Sequence, residues 1–592
     1  MSDLHTLATE RDAAGFAPIA SYAPLGEGRT VALLSRDGRI DWLPIPALDS
    51  PPVFAAIIDD AGGYIALRPA GVASATRRYL PRTNVMETTW TSASGTAIVQ
   101  DALIMGAGGP LPWTQLDRVV RGVSGAVRFE WSVRPGTALG RGPVEIALTP
   151  NAKTLRVGPV TMTVQTTHPR ADDDREPCFR GTFTVRPGEE AVVSLVAVAG
   201  QPLPLPPPNG DAVARTVRAW EDWSAAHHYT GPHPDLVRRS TLVLKLLTSA
   251  RTGAIAAAAT TSLPESGAGG KNWDYRFAWI RDLTFTVRAL TRFGLTEETH
   301  AAVTWMFDTI DERHADMPIF YALDGTAARP MVEVPVSGWR HIGPVWDGNR
   351  ASHQRQLGVY GSIFAVAEQY VRAGHVLDDR GRRVLERLAV DVCKNWRRRD
   401  AGLWELPRTR HYTSSKLGCW QALDAAVALA EDGHLDGDVA RWRRVQGRIR
   451  RWIDAHAWDR RLQAYTMSPG RRVLDASVLL YVGAGFPSAE RMASTVEAIR
   501  AGLGCDGLVY RFGGAEDVEA PFVACGWWLV SALARLGRAT EAARLADRLA
   551  ATANDVGVFA EMTDADGTHW GNTPQALSHL ALINAALDLE AT

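Results

Sequence analysis

The spacing of apolar residues changes once along these 592 residues, and that change divides the chain into two kinds of structure. Up to about residue 200 the apolar positions alternate. Val127, Phe129, Trp131 and Val133 are interleaved with Arg128, Glu130, Ser132 and Arg134, which places the apolar side chains on one face of a strand. Thr30 to Leu34 and Arg39 to Leu43 flank Ser-Arg-Asp-Gly, and Thr182 to Arg186 and Ala191 to Val198 flank Pro187-Gly188; both read as strand pairs about a turn. Many short strands punctuated by Gly and Pro predict an antiparallel β-sandwich over residues 1–200. Gln201 to Gly210 contains five prolines, which continue neither a ladder nor a helix, so residues 201–233 are expected to form a linker and a connecting helix.

From 234 to 592 the apolar period is about 3.6. Helices are expected to start near 234, 282, 297, 355, 381, 416, 438, 473, 487, 520, 539 and 574, the last with Thr573 as N-cap and Pro574 as its first residue. Twelve helices in antiparallel pairs close into two concentric rings of six, an (α/α)6 toroid barrel with a funnel at one end. An open helical solenoid and a pair of bundles are the alternatives, and the lack of a fixed repeat period weighs against the solenoid. The fold class expected is therefore α+β and multidomain. The long loops Leu263 to Trp279, Asp316 to Arg355 and Asp400 to Ser415 are the places for binding chemistry.

Charge narrows the partners. With 64 basic and 65 acidic residues and no long block of one sign, the chain has no electrostatic footprint for nucleic acid or an anionic membrane, and a neutral substrate is expected. Five scattered cysteines form no C-x-x-C pair and read as buried thiols. The first residues lack a basic segment followed by an apolar core, and no stretch approaches the roughly 18 apolar residues of a membrane span, so cytoplasmic residence is expected. Self-association is left open.

The densest chemistry lies between Gly269 and Asp282, G-G-K-N-W-D-Y-R-F-A-W-I-R-D. Aromatic faces stack on the C–H faces of a pyranose, while Arg and Asp bind hydroxyls through charge-assisted hydrogen bonds, so the run suits a sugar site; an aromatic cluster capped by surface ion pairs is the bland alternative. Two carboxylates invite catalytic roles. Glu405 stands beside Trp404, and an indole neighbour in a partly dry pocket raises a carboxyl towards a usable proton donor. Glu519 lies just ahead of a strongly apolar helix, whose N-terminus favours an anion and hence a base; Glu516 and Asp517 are rivals in the same loop. Glu265 and Asn272 occupy the wrong positions for a phosphate loop, and the fifteen histidines include no H-E-x-x-H, so neither a nucleotide, a cofactor nor a metal is expected.

These segments resemble glycoside hydrolase family 15, the glucoamylase and bacterial trehalase-like group. The resemblance is carried by S-R-D-G-R-I-D-W-L-P, N-W-D-Y-R-F-A-W-I-R-D, Q-L-G-V-Y-G from Gln356, G-L-W-E-L-P from Gly402, H-Y-T-S-S-K from His411, and A-N-D-V-G-V-F-A-E followed by G-N-T-P-Q-A-L-S-H-L. It implies a β-sandwich joined to an (α/α)6 barrel and hydrolysis of α-glucosidic bonds from the non-reducing end with inversion. By that likeness Glu405 is the general acid, Glu519 the general base, and Arg281 and Asp282 hold the outer hydroxyls of the terminal glucose. Trp273, Asp274, Tyr275, Trp279, Trp404, Lys416 and Trp527 complete the expected sugar-binding set. Inversion needs a water between sugar and base, and so a carboxyl separation of roughly 6.5–9.5 Å. Leu406 stands where fungal glucoamylases carry a second acidic residue, which leaves trehalose, isomaltose-type disaccharides and maltooligosaccharides as substrates. A phosphorylase on the same scaffold and a non-catalytic glycan-binding protein are the rival readings.

Overall fold

In the computed structural model, which describes residues 10–171, 173–311 and 318–592, the alternation at Val127–Pro135 becomes a strand with its odd-numbered side chains buried and most of the others exposed. It belongs to a seven-stranded antiparallel sheet. An eight-stranded antiparallel sheet packs against this one, its order running from Val144–Leu148 at one edge to Ala73–Tyr79 at the other. Leu33 pairs with Trp42 across Ser-Arg-Asp-Gly, the expected hairpin. The turn at Pro187-Gly188 does something else. Phe179–Val185 pairs with Val127–Pro135 in the first sheet, whereas Glu190–Ala199 pairs with Thr114–Gly125 in the second, so this turn carries the chain across the sandwich. Both flanking segments bury one face in the shared core, and pairing with different partners lets each do so.

A buried ion pair inside the eight-stranded sheet reaches across to a turn of the other sheet. Arg118 donates to Asp101 at 2.6 Å and to the Gly38 carbonyl at 2.9 Å, and both charged side chains are almost fully buried. Asp101→Ala would leave the guanidinium uncompensated, an effect worth about 3–5 kcal/mol. A clear fall in the apparent melting temperature is expected for Asp101→Ala and also for Arg118→Met, which strands the buried Asp101 carboxylate in turn, with the double variant milder because no charge is left unpaired; differential scanning calorimetry on the three variants checks this.

After the extended linker, the helices are α1 (Asp211–Ala225), α2 (Pro234–Leu247), α3 (Ile280–Arg292), α4 (Thr296–Asp311), α5 (Val359–Arg372), α6 (Asp379–Asn395), α7 (Thr413–Glu431), α8 (Val439–His456), α9 (Ala489–Leu503), α10 (Val523–Arg535), α11 (Ala539–Ala550) and α12 (Ala576–Glu590). The segment expected to start a helix near 473 is instead a six-residue 3-10 turn, Ala476–Tyr481, started by the Asp475 side chain accepting from the Ser477 N–H and followed by Gly483 and Gly485 at φ 75° and 79°. An inner ring closes in the order α3, α5, α7, the 3-10 turn, α10, α12 and back to α3. Outside it, α2 packs on α12, α4 on α3, α6 on α7, α8 on α7, α9 on the 3-10 turn and α11 on α10. This is the two-ring toroid.

Two helix starts differ from expectation. The last helix begins at Ala576, where the Gln575 side chain accepts from the Ser578 N–H; Thr573 and Pro574 precede the helix. The helix expected near 355 begins at Val359, because the Gln354 amide donates to the Glu405 carbonyl and the Leu357 N–H to Asp400. Among the described residues no helix is long and apolar enough to cross a membrane. The opening residues used for localisation, and the start of the loop from Asp316, lie outside the described residues.

The sandwich docks on the loop face of the toroid. Trp339 donates to the Ala17 carbonyl, Arg329 to the Asp49 carbonyl, and Arg276 to the Ser50 carbonyl at 3.0 Å. Asp41 and Trp42, from the S-R-D-G-R-I-D-W-L-P segment, are fully buried within the sandwich, Asp41 accepting from Arg11 and Tyr22.

Candidate active site

The aromatic run forms two short ladders that end at a helix. Asn272–Asp274 pairs with Thr261–Pro264, Ala278–Trp279 pairs with Phe320–Tyr321, and α3 follows at once. This geometry turns Trp273, Tyr275, Trp279, Arg281 and Asp282 into one cavity of about 280 Å³, together with Trp404 and Glu405. The volume is near the lower end for small-molecule sites. Among the described residues none before Ala257 lines it, so the described part of the sandwich supports the site without entering it.

Glu405 is placed by strain and by an indole. Its backbone sits at φ 58°, a region costly for a residue with a Cβ and found mainly where function over-determines it. The tight turn Gly402 to Leu406, closed by Leu406 N–H to the Ala401 carbonyl at 3.0 Å, forces that conformation. Trp279 Nε1 donates to Glu405 Oε1 at 2.7 Å, and Arg281 lies 3.8 Å from the same oxygen. Burial raises the Glu405 carboxyl above the ordinary range, with Arg281 and the Trp279 bond opposing. Removing a donor to the charged form favours the neutral one. Trp279→Phe is therefore expected to raise the Glu405 pKa further and shift the alkaline limb of the pH–rate profile upward; a profile of kcat/KM for both proteins tests this.

Trp404 is fixed by Nε1 donating to Asp475 at 2.8 Å and by its contact with Trp528 at 5.9 Å between ring centres. Arg281 and Asp282 pair at 2.6 Å, with Asp282 in the first turn of α3, where the helix dipole favours its charge. Tyr275 meets Trp279 edge to face at 5.5 Å.

Three expected sugar ligands lie outside the cavity. Asp274 is fully buried, clasped by Arg276 at 2.8 and 2.7 Å and accepting from the Gly348 N–H. Lys416, within α7, spends its ammonium on the Trp396 and Arg398 carbonyls at 2.6 and 2.7 Å. Trp527 packs into the core against Phe559, and its neighbour Trp528 supports Trp404, because adjacent helical residues cannot face the same way.

Glu519 is also behind the wall. Its side chain is fully buried, with Arg511 Nε donating to Oε1 at 2.6 Å and both Arg511 and Lys271 held against Oε2. Burial opposes its charge, but Arg511 and Lys271 outweigh it and hold the carboxyl below the ordinary range. It stands four residues before α10, too far for the expected helix-end effect, and it does not line the cavity. An ion-paired carboxylate with both oxygens covered cannot reach a water in the cavity.

The cavity contains a carboxylate that sequence reasoning did not select, Glu561. Its backbone N–H bonds to the Asn572 carbonyl, its carbonyl accepts from Val523 N–H, and Asn572 N–H reaches Oε2 at 3.3 Å. Gly571, at φ 73°, has to be glycine: an added Cβ would stand 2.5 Å from Glu561 Oε2. Oε1 has no hydrogen-bond partner, and the Tyr275 hydroxyl lies beside the carboxyl. Burial and the neighbouring Glu265 raise Glu561 to about 8, with Arg511 opposing. Glu561 and Glu405 are thus two carboxyls in one cavity, spaced by the Tyr275–Trp279 pair. Arg350, 4.4 Å above the Trp273 ring, and Lys271 and Arg511 are further lining residues the sequence did not single out.

The motif A-N-D-V-G-V-F-A-E ends on Glu561, and G-N-T-P-Q supplies Gly571, so the signal was present in the quoted segments. His579, in the same quoted segment, pairs with Ser240 and accepts from Phe559 N–H, and burial lowers it to about 3.

Comparison with known proteins agrees with this architecture. Residues 12–170 match the trehalase-like N-terminal domain. The chain is 36% identical over 625 residues to a trehalase of Mycobacterium tuberculosis, covering 97% of this chain and 89% of that protein. A trehalase of Mycolicibacterium smegmatis is 35% identical, with 97% and 91% covered. A bacterial glucoamylase crystallised with acarbose superposes over 100% of this chain and 97% of its own with a TM-score of 0.69 at 11% identity, a likeness of fold. Residues 231–587 match the model of Glycosyl hydrolases family 15, and with the trehalase matches over nearly the whole length the chain belongs to that family and is a glycoside hydrolase.

Proposed function

We propose that this enzyme hydrolyses trehalose with inversion, Glu405 acting as general acid and Glu561 as general base. The observation that carries the assignment is that Glu405 and Glu561 share one cavity while Glu519 lies outside it. Glu405 gives its proton to the glycosidic oxygen as the C1–O bond breaks. Glu561 takes a proton from the water whose oxygen attacks C1 from the opposite face. Arg281 and Asp282 hold the sugar hydroxyls, and the aromatic walls of Trp273, Tyr275, Trp279 and Trp404 contact its C–H faces and screen the developing positive charge from bulk water.

The base must be ionised when the acid is protonated. Among the described residues Glu265, Glu519 and Glu561 face two cations, Arg511 and Lys271, so one proton shared within the cluster would balance its charge. Glu265 and Glu561 are alike in being buried, raised by burial and left with a partnerless Oε1, so the proton is shared between these two, and the proposed mechanism requires it on Glu265, which leaves Glu561, facing the cavity, free to act. A small cavity closed by Leu406 and Pro407 suits a disaccharide better than a long chain. That preference agrees with the full-length match to trehalases.

Proton NMR in the first minute of turnover tests the reading. Trehalose should give one β-glucose and one α-glucose per molecule, because the attacked ring inverts and the leaving ring keeps its configuration. Two α-glucose molecules would exclude inversion, and turnover of maltose or isomaltose in preference to trehalose would overturn the substrate.

A further inference from the structure

A second cavity, of about 390 Å³, lies inside the helical ring. Every inner-ring element contributes to it, and along α3 it continues from the first cavity towards the helix C-terminus: Arg281 and Asp282 line the first, and Thr284, Phe285 and Arg288 the second. Arg281 and Leu403 belong to both and form the partition.

Beside four arginines and Glu368, its lining carries a set of uncharged hydrogen-bonding side chains: Gln356, Ser362, Gln369, Ser414, Gln421 and Asn584. Gln356 and Asn584 are only 6% and 3% exposed, yet Gln356 Nε2 and Asn584 Oδ1 have no partner. The Asn584 amide cannot be turned round to hide the deficit, since its Nδ2 donates to the Phe285 and Leu580 carbonyls at 3.1 and 2.8 Å. A buried amide left unpaired is costly, so these groups favour a ligand that can hydrogen-bond to them. One unpaired donor and one unpaired acceptor match a hydroxyl, which is both. The arginines do not ask for an anion: Arg281 pairs with Asp282, Arg288 and Arg535 with Asp588, and Arg372 with Glu368.

We propose that the bore of the ring is a second binding site, for a neutral polyol of monosaccharide size. The catalytic reading makes D-glucose the natural probe, since it is the product; the site itself rests on the bore alone. Because Arg281 holds Asp282 and lies 3.8 Å from Glu405, an occupant of the bore touches the wall of the catalytic cavity, and product acts there without competing for it.

Calorimetric titration of the full chain with D-glucose, without substrate, tests this, together with glucose inhibition of turnover. Two binding events and mixed inhibition are expected. Ser362→Phe, which fills the bore, should remove one event and make inhibition competitive, with kcat/KM changed by no more than a few-fold. Asn584→Ala should weaken the same event about tenfold, the worth of one hydrogen bond, and serves if the larger side chain prevents folding. A single event in the unaltered protein, as ordered water alone in the bore would give, overturns the proposal, as does persistence of both events in both variants. Binding is read without turnover, so two glucose sites in a protein inactive on trehalose would defeat only the catalytic reading, and one site in an active trehalase only this one.

Discussion

Glu561→Gln is expected to lower kcat on trehalose by about 10²–10⁴ with little change in KM, the range for losing a positioned base. Glutamine keeps the shape and the Asn572 contact but cannot take a proton from water. Azide, which attacks without needing a base, should restore turnover in Glu561→Ala and leave β-glucosyl azide as the product. Glu519→Gln separates the two carboxylates. It strands Arg511 and Lys271 against one fewer counter-charge, so its main expected effect is lower stability, with kcat in the folded fraction falling far less. Turnover lost in folded Glu519→Gln and retained in Glu561→Gln would return the base role to Glu519. Circular dichroism melts beside the kinetics keep folding and chemistry apart.

The second large effect is expected at Glu405. Glu405→Gln should reduce hydrolysis of trehalose by a similar factor, about 10²–10⁴, because the leaving glucose departs as an unstabilised alkoxide without a proton. α-Glucosyl fluoride needs no such proton, and its hydrolysis should stay within roughly tenfold of the unaltered enzyme. Equal loss on both substrates would instead mark Glu405 as a residue that positions the sugar. The alkaline limb of the pH profile should vanish with the carboxyl that causes it, since burial has raised that group above the ordinary carboxylate range.

The architecture could be read in the sequence because periodicity reports burial directly. Residues 127–135 alternate because one side of the strand meets the core, and eleven of the twelve expected helix starts lead into α-helices because each has an apolar stripe against a neighbour. The 3-10 turn escaped because Ala476–Tyr481 carries apolar content without the length of a helix. The residue proposed as acid was legible: Trp-Glu in a short loop is a local feature. The residue proposed as base was not, because a carboxylate at a helix N-terminus has a local signal, whereas Glu561 sits at the entry to the small ladder Met562–Thr563 with His569–Trp570. What distinguishes Glu561 from Glu519 is which cations cover it, and Lys271, Arg511 and Glu519 are up to 248 positions apart in the chain. Lys416 and Trp527 show the same limit: their motifs are well formed, but helical phase directs one to two loop carbonyls and the other into the core.

The Arg276 guanidinium has a consequence for how such proteins can be recombined. It grips Asp274 beside the catalytic aromatics with one edge and the Ser50 carbonyl of the sandwich with the other. Exchanging N-terminal modules between relatives therefore also replaces the mounting of Trp273 and Tyr275. A chimaera that swaps the module without its Asp49–Ser50 turn would inherit a complete set of reactive groups on a loosened bench.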